Sequence, residues 1–407
     1  MSTNLRKQNS GGWQIETLRT LDEIEAIRPI WEQMQANEPR PSVNTDVDRY
    51  LSVVECDEGI SQPVVILLKK HGEPEALVAG RLGKMPIPVR IGYKAVASPT
   101  LRSLAVTYGG VLGQPDEVAI VQIIRGLAGF LNRKEADIVF FNHLDIDSVF
   151  YQQVRKASGF WRGNHFLTVE PHWRMAIPLS LSEFFQSLSG KHRRNLRRAV
   201  RKLEEEYGEE FQIVHYQNVD DIPVLSRDVE SISVKTYQHA LNAGFSCTPL
   251  TQSILTRDAT RGRLLMSVLY IQGRPCAFQW GTVLRNTYFM EKVGYDPEWS
   301  RFRVGNVLFI QVLESLCHRA DLEFLDFGFG DAEYKRSYGN KCWQEAAQTY
   351  VFAPRLYPVM LNMFQSSVMG LSYTLRRGLN AAGLTHRVKR LWRGKLQESQ
   401  SQSSEKT

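Results

Sequence analysis

The segments "HGEPEALVAG" (residues 71–80) and "QGRPCAFQWG" (residues 272–281) share the spacing G-x-P-x-A-x-x-x-G at an offset of 201 residues. Each stands between strand-like apolar runs, which is typical of an antiparallel hairpin with glycine at its turn. A second pair, "LAGFLNRKEADIVFFN" (127–142) and "LESLCHRADLEFLDF" (313–327), follows in the same order. Both members join a helical segment, an Ala-Asp pair and a buried strand. Two matches in one order indicate a duplicated unit.

The duplication predicts the fold class, a mixed α/β protein with two tandem domains and a basic C-terminal helical extension. A chain of 407 residues is long enough for that arrangement. The expected division is disordered 1–12, an N-terminal domain over 13–178, a C-terminal domain over 179–354, the extension over 355–396 and a disordered tail over 397–407. The first copy should carry a longer connection within 83–115, and "QTYVFAP" (348–354) should close the sheet of the second copy.

The net charge of +7 is concentrated near the C-terminus. No acidic residue lies between Glu345 and Glu398, a stretch with eight Lys or Arg, and the rest of the chain is close to neutral. Leucines and Trp392 among these cations predict an interfacial helix at an anionic membrane surface. A packing helix with a basic end explains the pattern equally well. The five cysteines are scattered without a CxxC pair, so we expect no metal site and a cytoplasmic protein, peripheral at the inner face of the membrane if the tail binds lipid.

Two stretches of the second copy carry the residues most suited to chemistry. "LDFGFGDAEYKRSYGNK" (325–341) ends a strand on Asp326, turns at Gly328 and Gly330, and continues into Tyr334 and Lys335. "WSRFRVGNVLFIQVLESL" (299–316) begins a helix next to four groups suited to a phosphate: Arg301, Arg303, Gly305 and Asn306. The plainer alternative for the second stretch is a solvated arginine loop before an ordinary helix.

The order of hairpin, third strand, phosphate-type loop, helix and strand resembles the GNAT acyltransferases, in which the equivalent loop holds the diphosphate of coenzyme A. More narrowly, "KHRRNLRRAVRKLEEE" (191–206) together with 325–341 resembles the acetyltransferase family named for the CelD protein of cellulose biosynthesis. That family is related to the Fem-type transferases, which also have tandem GNAT units. The resemblance covers about 185–345 and implies acyl-CoA as the co-substrate.

The resemblance also implies roles for single residues. Tyr334 would protonate the departing thiolate, and Lys335 would bind an anionic acceptor or stabilise negative charge. Glu291 or Asp326 would take the proton from the acceptor, although Glu291 could equally face solvent and Asp326 could hold the glycine turn. Acceptor binding falls to Gly328, Gly330 and two cations of the basic helix, Arg194 and Arg197. The basic helix could instead hold the 3′-phosphate of coenzyme A or form a solvated face.

The sequence therefore predicts direct transfer of an acyl group from acyl-CoA to an amine or hydroxyl acceptor, a small molecule or glycan of cell-envelope or exopolysaccharide metabolism. The first copy lacks a Gly-x-Gly turn after its strand, so we expect it to be non-catalytic and to shape the acceptor cleft. His143 is a candidate cleft residue, although a lone histidine is more often structural. Two alternatives stay open: a Fem-like transferase that uses aminoacyl-tRNA, and a silent pair that acts as a scaffold subunit of a membrane-associated polysaccharide synthase. Nucleic acid is not expected, apart from tRNA under the first alternative.

Overall fold

Both hairpins of the repeated motif form in the computed structural model, which describes residues 11–57, 59–91, 94–236, 239 and 244–381. Strand β2 (Gln62–Lys70) pairs with β3 (Glu73–Pro86), and β10 (Leu264–Ile271) pairs with β11 (Arg274–Leu284). The two turn residues have positive φ in each hairpin, 53° and 93° at His71-Gly72 and 52° and 71° at Gln272-Gly273. Turns of this kind match the right-handed twist of the flanking strands.

The last glycine of each motif is required by close packing. A Cβ at Gly80 would lie 2.8 Å from the carbonyl oxygen of Ala105 on the neighbouring strand. A Cβ at Gly281 would lie 2.0 Å from the ring of Tyr288, which is fully buried. The same position of the fold therefore requires glycine in both halves, although the neighbouring group differs.

The first half follows the predicted order of elements and contains the longer connection expected within 83–115, a small separate hairpin of β4 and β5. Its remaining elements are β1 (Trp13–Leu18), α1 (Leu21–Ala26), α2 (Arg28–Ala36), α3 (Val47–Cys56), β4 (Val89–Ile91), β5 (Lys94–Ala97), β6 (Thr100–Leu112), α4 (Glu117–Asn132), β7 (Ile138–Asp145), α5 (Val149–Arg162) and β8 (Val169–Ala176).

The second half repeats this order without the extra hairpin. Its elements are α6 (Leu181–Ser187), α7 (Gly190–Tyr207), β9 (Phe211–Tyr216), α8 (Ile222–Ser233), α9 (Pro249–Thr260), β12 (Thr287–Tyr295), α10 (Val304–Cys317), β13 (Phe324–Phe329), α11 (Glu333–Tyr338) and β14 (Lys341–Phe352), with α12 (Leu356–Ala381) as the extension.

The halves share one twelve-stranded sheet, in the order β1-β2-β3-β6-β7-β14-β8-β13-β12-β11-β10-β9. The segment 348–354 does not close the sheet of the second copy as expected. Its strand β14 pairs with β7 of the first half, while β8 pairs with β13 of the second. The last strand of each half, β8 or β14, thus pairs with a strand of the other half. Strands β8 and β14 also pair with each other. The fold class predicted from the sequence is confirmed, whereas the domain boundaries stay a prediction.

Two parallel strand pairs open into wedges. Strands β12 and β13 pair only from Thr287 to Phe289 of β12, whereas β13 continues to pair with β8, on its other side, as far as Phe329. In the first half β6 and β7 pair only from Ser103 to Val106. Both wedges open toward the region between the halves.

The sheet of the second half separates an apolar face from a polar one. Leu325 and Phe327 of β13 pack with α6, α7 and α10 in a large buried cluster that includes Leu196 and Leu313. Because neighbouring residues of a strand face opposite sides, Asp326 between them faces the other way. The polar face is the one that builds the site.

The extension begins as a helix that buries one face against the first half. Leu361 is buried, whereas Tyr357, Met360, Phe364 and Leu371 are more than half exposed on the other face. Within the described residues, no helix is both long enough and apolar enough to cross a bilayer. Residues 1–10 and 382–407, on which the predicted disordered ends and most of the basic tail fall, lie outside the described residues.

Candidate active site

A cavity of about 680 Å³ lies where the two halves meet. It is bordered by the divergent ends of β6 and β12, by β7 and β13, and by the exchanged strands β8 and β14. Its chemistry-bearing lining residues are Tyr108, His143, His172, Arg174, Glu291, Asp326, Lys335, Trp343 and Glu345. The cavity therefore combines side chains from both halves, and the candidate cleft residue His143 is among them.

A chain of hydrogen bonds crosses the floor of this cavity. His172 Nε2 lies 2.8 Å from Asp326 Oδ1, and His172 Nδ1 lies 2.9 Å from the phenol oxygen of Tyr108. The Tyr108 hydroxyl donates to Glu345 Oε1 at 3.0 Å, and that oxygen also accepts from the indole of Trp343 at 2.7 Å. Tyr108, His172, Asp326 and Glu345, from the strands β6, β8, β13 and β14, thus form a single network. Trp343, also on β14, extends it.

Burial and charge hold this network in a defined protonation state. Burial alone would lower the pKa of His172, but its hydrogen bonds with Asp326 and Glu345 outweigh burial and raise that pKa. Burial raises the pKa of Asp326 and of Glu345, yet in both carboxyls the contact with His172 prevails and the pKa is lowered. The network accordingly favours an imidazolium between two carboxylates.

Three of the four predicted catalytic residues line this cavity: Glu291, Asp326 and Lys335. Glu291 does not simply face solvent, because Arg49 of α3 contacts both its oxygens, at 2.5 and 2.8 Å, and Thr282 donates to one of them. Asp326 accepts from His172, from Arg174 Nε at 3.2 Å and from the backbone N–H of Gly328 at 2.8 Å. Asp326 therefore does hold the glycine turn.

Lys335 reaches back over the glycine turn. Its Nζ donates to the carbonyl oxygens of Phe329 at 2.7 Å and Gly328 at 3.4 Å. Burial lowers the pKa of Lys335 to about 8, although Asp326 and Glu170 act in the opposite direction. This lysine consequently loses its proton at a lower pH than an exposed lysine does.

Tyr334 lies next to the wedge rather than in the cavity lining. It is half-buried against the apolar cluster of the second half, with its ring edge-to-face to Phe327 at 6.0 Å. The turn before it uses positive φ, 71° at Gly328 and 90° at Gly330. Gly328 lines the cavity, whereas a Cβ at Gly330 would have only a carboxylate oxygen of Glu170 near it, at 4.0 Å.

The four residues predicted to hold a diphosphate surround the start of α10 and do not line the cavity. Arg303 adopts a left-handed conformation (φ 54°, ψ 41°) before the helix, and no side chain caps the helix start. Arg301 is exposed and paired with Glu206 at 3.3 Å, and the backbone N–H of Asn306 donates to the Arg303 carbonyl at 2.9 Å. A Cβ at Gly305 would meet only Tyr295, at an ordinary 3.5 Å, so the helix start is open.

The corresponding helix of the first half is closed to anions. Asp116 caps α4, and its carboxylate accepts from the N–H of Ala119 at 2.7 Å. A carboxylate already occupies the position that an anionic ligand would take at a helix start. The two halves therefore differ at the feature on which diphosphate binding depends.

The two cations of α7 that were predicted to bind an acceptor lie outside the cavity. Arg194 and Arg197 are exposed, and the Arg197 guanidinium stacks over the ring of Phe185 at 4.9 Å. The structure thus brings Glu291, Asp326, Lys335 and Gly328 together and leaves these arginines on a separate, exposed helix face.

Sequence reasoning missed Tyr108, Trp343, Glu345 and the pair His172 and Arg174. The alternation in "PHWRMA" (171–176) places His172 and Arg174 on one side of a strand, and "CWQE" (342–345) does the same for Trp343 and Glu345. Such alternation is usual for a strand with one solvated face, so the pattern alone gave no reason to expect burial. Only the exchange of strands makes these positions interior.

Comparisons with known proteins agree with this geometry. Residues 190–336 match a family model described as "Acetyltransferase (GNAT) domain". A structure of FemX is similar in fold (TM-score 0.56, 10% identity, 86% of this chain and 100% of that chain). A tandem GNAT protein from the clavulanic acid biosynthesis pathway (TM-score 0.48, 10% identity, 84% and 100% covered) and L-PGS from Bacillus licheniformis (0.42, 13%, 73% and 87%) also match. No curated protein matches the sequence.

The class of protein follows from these findings. Residues 190–336 match a GNAT acetyltransferase domain, and 86% of the chain is similar in fold to FemX. Residues 190–336 therefore carry the features of a GNAT-type acyltransferase domain, as predicted from the sequence. The narrower resemblance to the CelD-named family stays a prediction.

Proposed function

We propose that the second half transfers an acyl group from acyl-CoA to an amine or hydroxyl acceptor held in the cavity between the halves. The diphosphate of the donor would lie at the open start of α10, with Arg301 and Arg303 beside it. The thioester would enter the wedge between β12 and β13, with Tyr334 placed to protonate the thiolate and Lys335 to stabilise the developing negative charge.

The observation that carries this proposal is the wedge itself. Strands β12 and β13 part after Phe289 and Asp326, and their parted ends line the polar cavity. We place the slender chain of the donor at this parting, between the α10 side and the cavity. The first half has a similar wedge, but Asp116 caps its helix. This contrast supports one donor site, in the second half only.

Calorimetry with acetyl-CoA and longer acyl-CoAs tests the donor site. We expect Gly305→Trp, which fills the open helix start, to weaken binding at least tenfold. The matched control is Val118→Trp, at the second position of α4, where the native side chain is 54% exposed. It should leave binding unchanged. If the wild-type protein bound none of these thioesters, or if both tryptophan variants behaved alike, the proposal would be wrong.

A Fem-like reaction with aminoacyl-tRNA is a second candidate. It is favoured by the exposed cations along α7, among them Arg194, Arg197, Arg198 and Arg201. Retention of tRNA by the protein, abolished by reversing two of these charges while acetyl-CoA binding is absent, would favour this candidate. The scaffold alternative predicts partner binding that is insensitive to Tyr334→Phe. An acceptor from cell-envelope or exopolysaccharide metabolism rests on the resemblance alone.

A further inference from the structure

We propose that Tyr108, which the first half contributes, takes the proton from the attacking acceptor and passes its own phenolic proton to Glu345. This inference rests on the proposed acyl transfer and names the residue that activates the acceptor. It makes the first half part of the chemistry although that half binds no donor.

The carboxylates expected from the sequence are poorly placed for this role because their oxygens are already engaged. Glu291 is held by two nitrogens of Arg49 and by Thr282. Asp326 accepts hydrogen bonds on both oxygens from three donors. Protonation of either carboxylate would break an ion pair with an arginine, Arg49 for Glu291 and Arg174 for Asp326, which is costly. Glu345 is paired with no arginine within the described residues, and its charged neighbour is His172, at 3.3 Å.

Tyr108 lines the cavity and is less deeply buried than the two groups it contacts in the network. Its side chain is half-buried, whereas His172 and Glu345 are only 4% and 3% exposed. It lies on β6 beyond the point where that strand parts from β7, and its ring packs edge-to-face against Phe329 at 5.7 Å. A substrate in the cavity therefore meets the phenol before it meets the carboxylate behind it.

The hydrogen bonds give the relay a direction. The charged imidazole of His172 donates one N–H to Asp326 and the other to the Tyr108 oxygen, and the Tyr108 hydroxyl donates to Glu345. A phenol oxygen can accept a second hydrogen bond, and the acceptor N–H or O–H supplies it. Burial and the charges of Glu345 and Asp326 raise the pKa of Tyr108 well above its ordinary value, so the phenol is regenerated at once.

The step is balanced. The acceptor nitrogen or oxygen forms a bond to the thioester carbonyl carbon, and its proton moves to the Tyr108 oxygen while the Tyr108 proton moves to Glu345 Oε1. The carbon–sulfur bond breaks, and the thiolate takes a proton from Tyr334 under the proposed function. Glu345 and Tyr334 then exchange protons with solvent after the products leave.

The test follows release of the coenzyme A thiol from acetyl-CoA, with glucosamine as acceptor and with water alone. We expect Tyr108→Phe to lower kcat by about 10²–10⁴-fold, the range for loss of a general base, with KM for acetyl-CoA unchanged. Glu345→Gln should lower kcat in the same way and reduce the solvent deuterium isotope effect. The matched control is Tyr350→Phe, a buried tyrosine of β14 outside the cavity whose hydroxyl donates to Gln348 at 3.2 Å.

The outcomes separate this inference from the proposed function. Unchanged kcat in Tyr108→Phe, or an equal loss in Tyr350→Phe, overturns the relay while leaving acyl transfer intact. Calorimetry on the Tyr108→Phe variant should give wild-type affinity for acetyl-CoA, because a collapsed site would lose it. No thiol release and no thioester binding by the wild type would overturn both.

Helices α5 and α12 together form an exposed apolar surface. Its exposed apolar residues are Phe160 and Trp161 on α5 and Tyr357, Met360, Phe364 and Leu371 on α12. Hydrogen bonds join α12 to the end of α5: the Asn362 side chain donates to the carbonyl oxygens of Trp161 and Gly163, both at 3.0 Å. Exposed patches of this kind mark interaction sites.

We infer that this α5–α12 surface docks on an anionic bilayer. Charge favours this partner, because the sequence has no acidic residue from 346 to 397 and has five cations between 387 and 395. Tryptophan and tyrosine side chains suit the boundary between lipid and water. Apolar area combined with unopposed positive charge is what anionic lipid selects.

Co-sedimentation of the full chain with vesicles tests this surface. We expect binding to phosphatidylglycerol–phosphatidylcholine vesicles, little binding to phosphatidylcholine alone, and weakening by salt. Trp161→Ser with Phe364→Ser should lower binding at least tenfold, whereas Leu179→Ser, at a separate site that is 90% exposed, should not change it. Equal or absent binding in these comparisons overturns the inference. Concentration-dependent self-association that the double variant abolishes would assign the surface to a second copy instead.

Discussion

At the scale of single residues, folding changes the pKa of Lys335. Burial lowers its pKa from the ordinary 10.5 to about 8 because the cavity removes solvent from the ammonium group. The unfolded chain therefore holds this proton between pH 8 and 10.5, where the folded chain has released it. By linkage, this lysine makes stability rise with pH across that window.

Lys335→Met should raise the free energy of unfolding at pH 7, because the variant no longer confines a charge, and the gain should disappear above about pH 10.5. Urea unfolding measured from pH 7 to 11 checks this. The exposed Lys191→Met is the control and should leave the pH dependence as in the wild type. A wild-type slope retained in Lys335→Met would contradict the assignment.

Single residues also show which parts of the site could be predicted from the sequence. Asp326 and Lys335 belong to one short motif, so their proximity follows from local chain geometry. Tyr108 and Glu345 are 237 residues apart and meet only through the order of strands. Their environment could not be predicted, because alternating polar residues on a strand usually face water.

At the scale of elements, the repeated hairpin contains two glycines that are required for different reasons. Gly273 supplies a left-handed turn with open space around it, whereas Gly281 makes room for the buried ring of Tyr288. The first requirement concerns backbone conformation and the second concerns packing. The two should therefore differ in energy although both glycines belong to one motif.

We expect Gly281→Ala to destabilise the protein by about 3 kcal/mol, since a Cβ 2.0 Å from a fully buried ring forces the core to shift. Gly273→Ala should cost about 1 kcal/mol, the order expected for a non-glycine residue in a left-handed conformation. Chemical denaturation of both variants measures the difference. A larger effect at Gly273 would mean that the core around Tyr288 relaxes freely.

At the scale of the whole molecule, the sequence predicted two similar units but not how they join. Hairpin, helix and strand follow from local periodicity, and those elements were confirmed. The partner of a strand is a long-range property, and β8 and β14 carry no local sign of which sheet they enter. The exchange of these strands is what encloses the cavity and places residues of both halves around it.

The same exchange has a consequence for biosynthesis. Strand β7 leaves the ribosome some two hundred residues before β14, its eventual neighbour. Until then the nascent first unit presents an unpaired edge, the kind of surface that chaperones shield and that pairs wrongly with other chains. Maturation of this polypeptide is thus completed only after translation has nearly ended, and a gene split between the units would encode two incomplete, mutually dependent fragments.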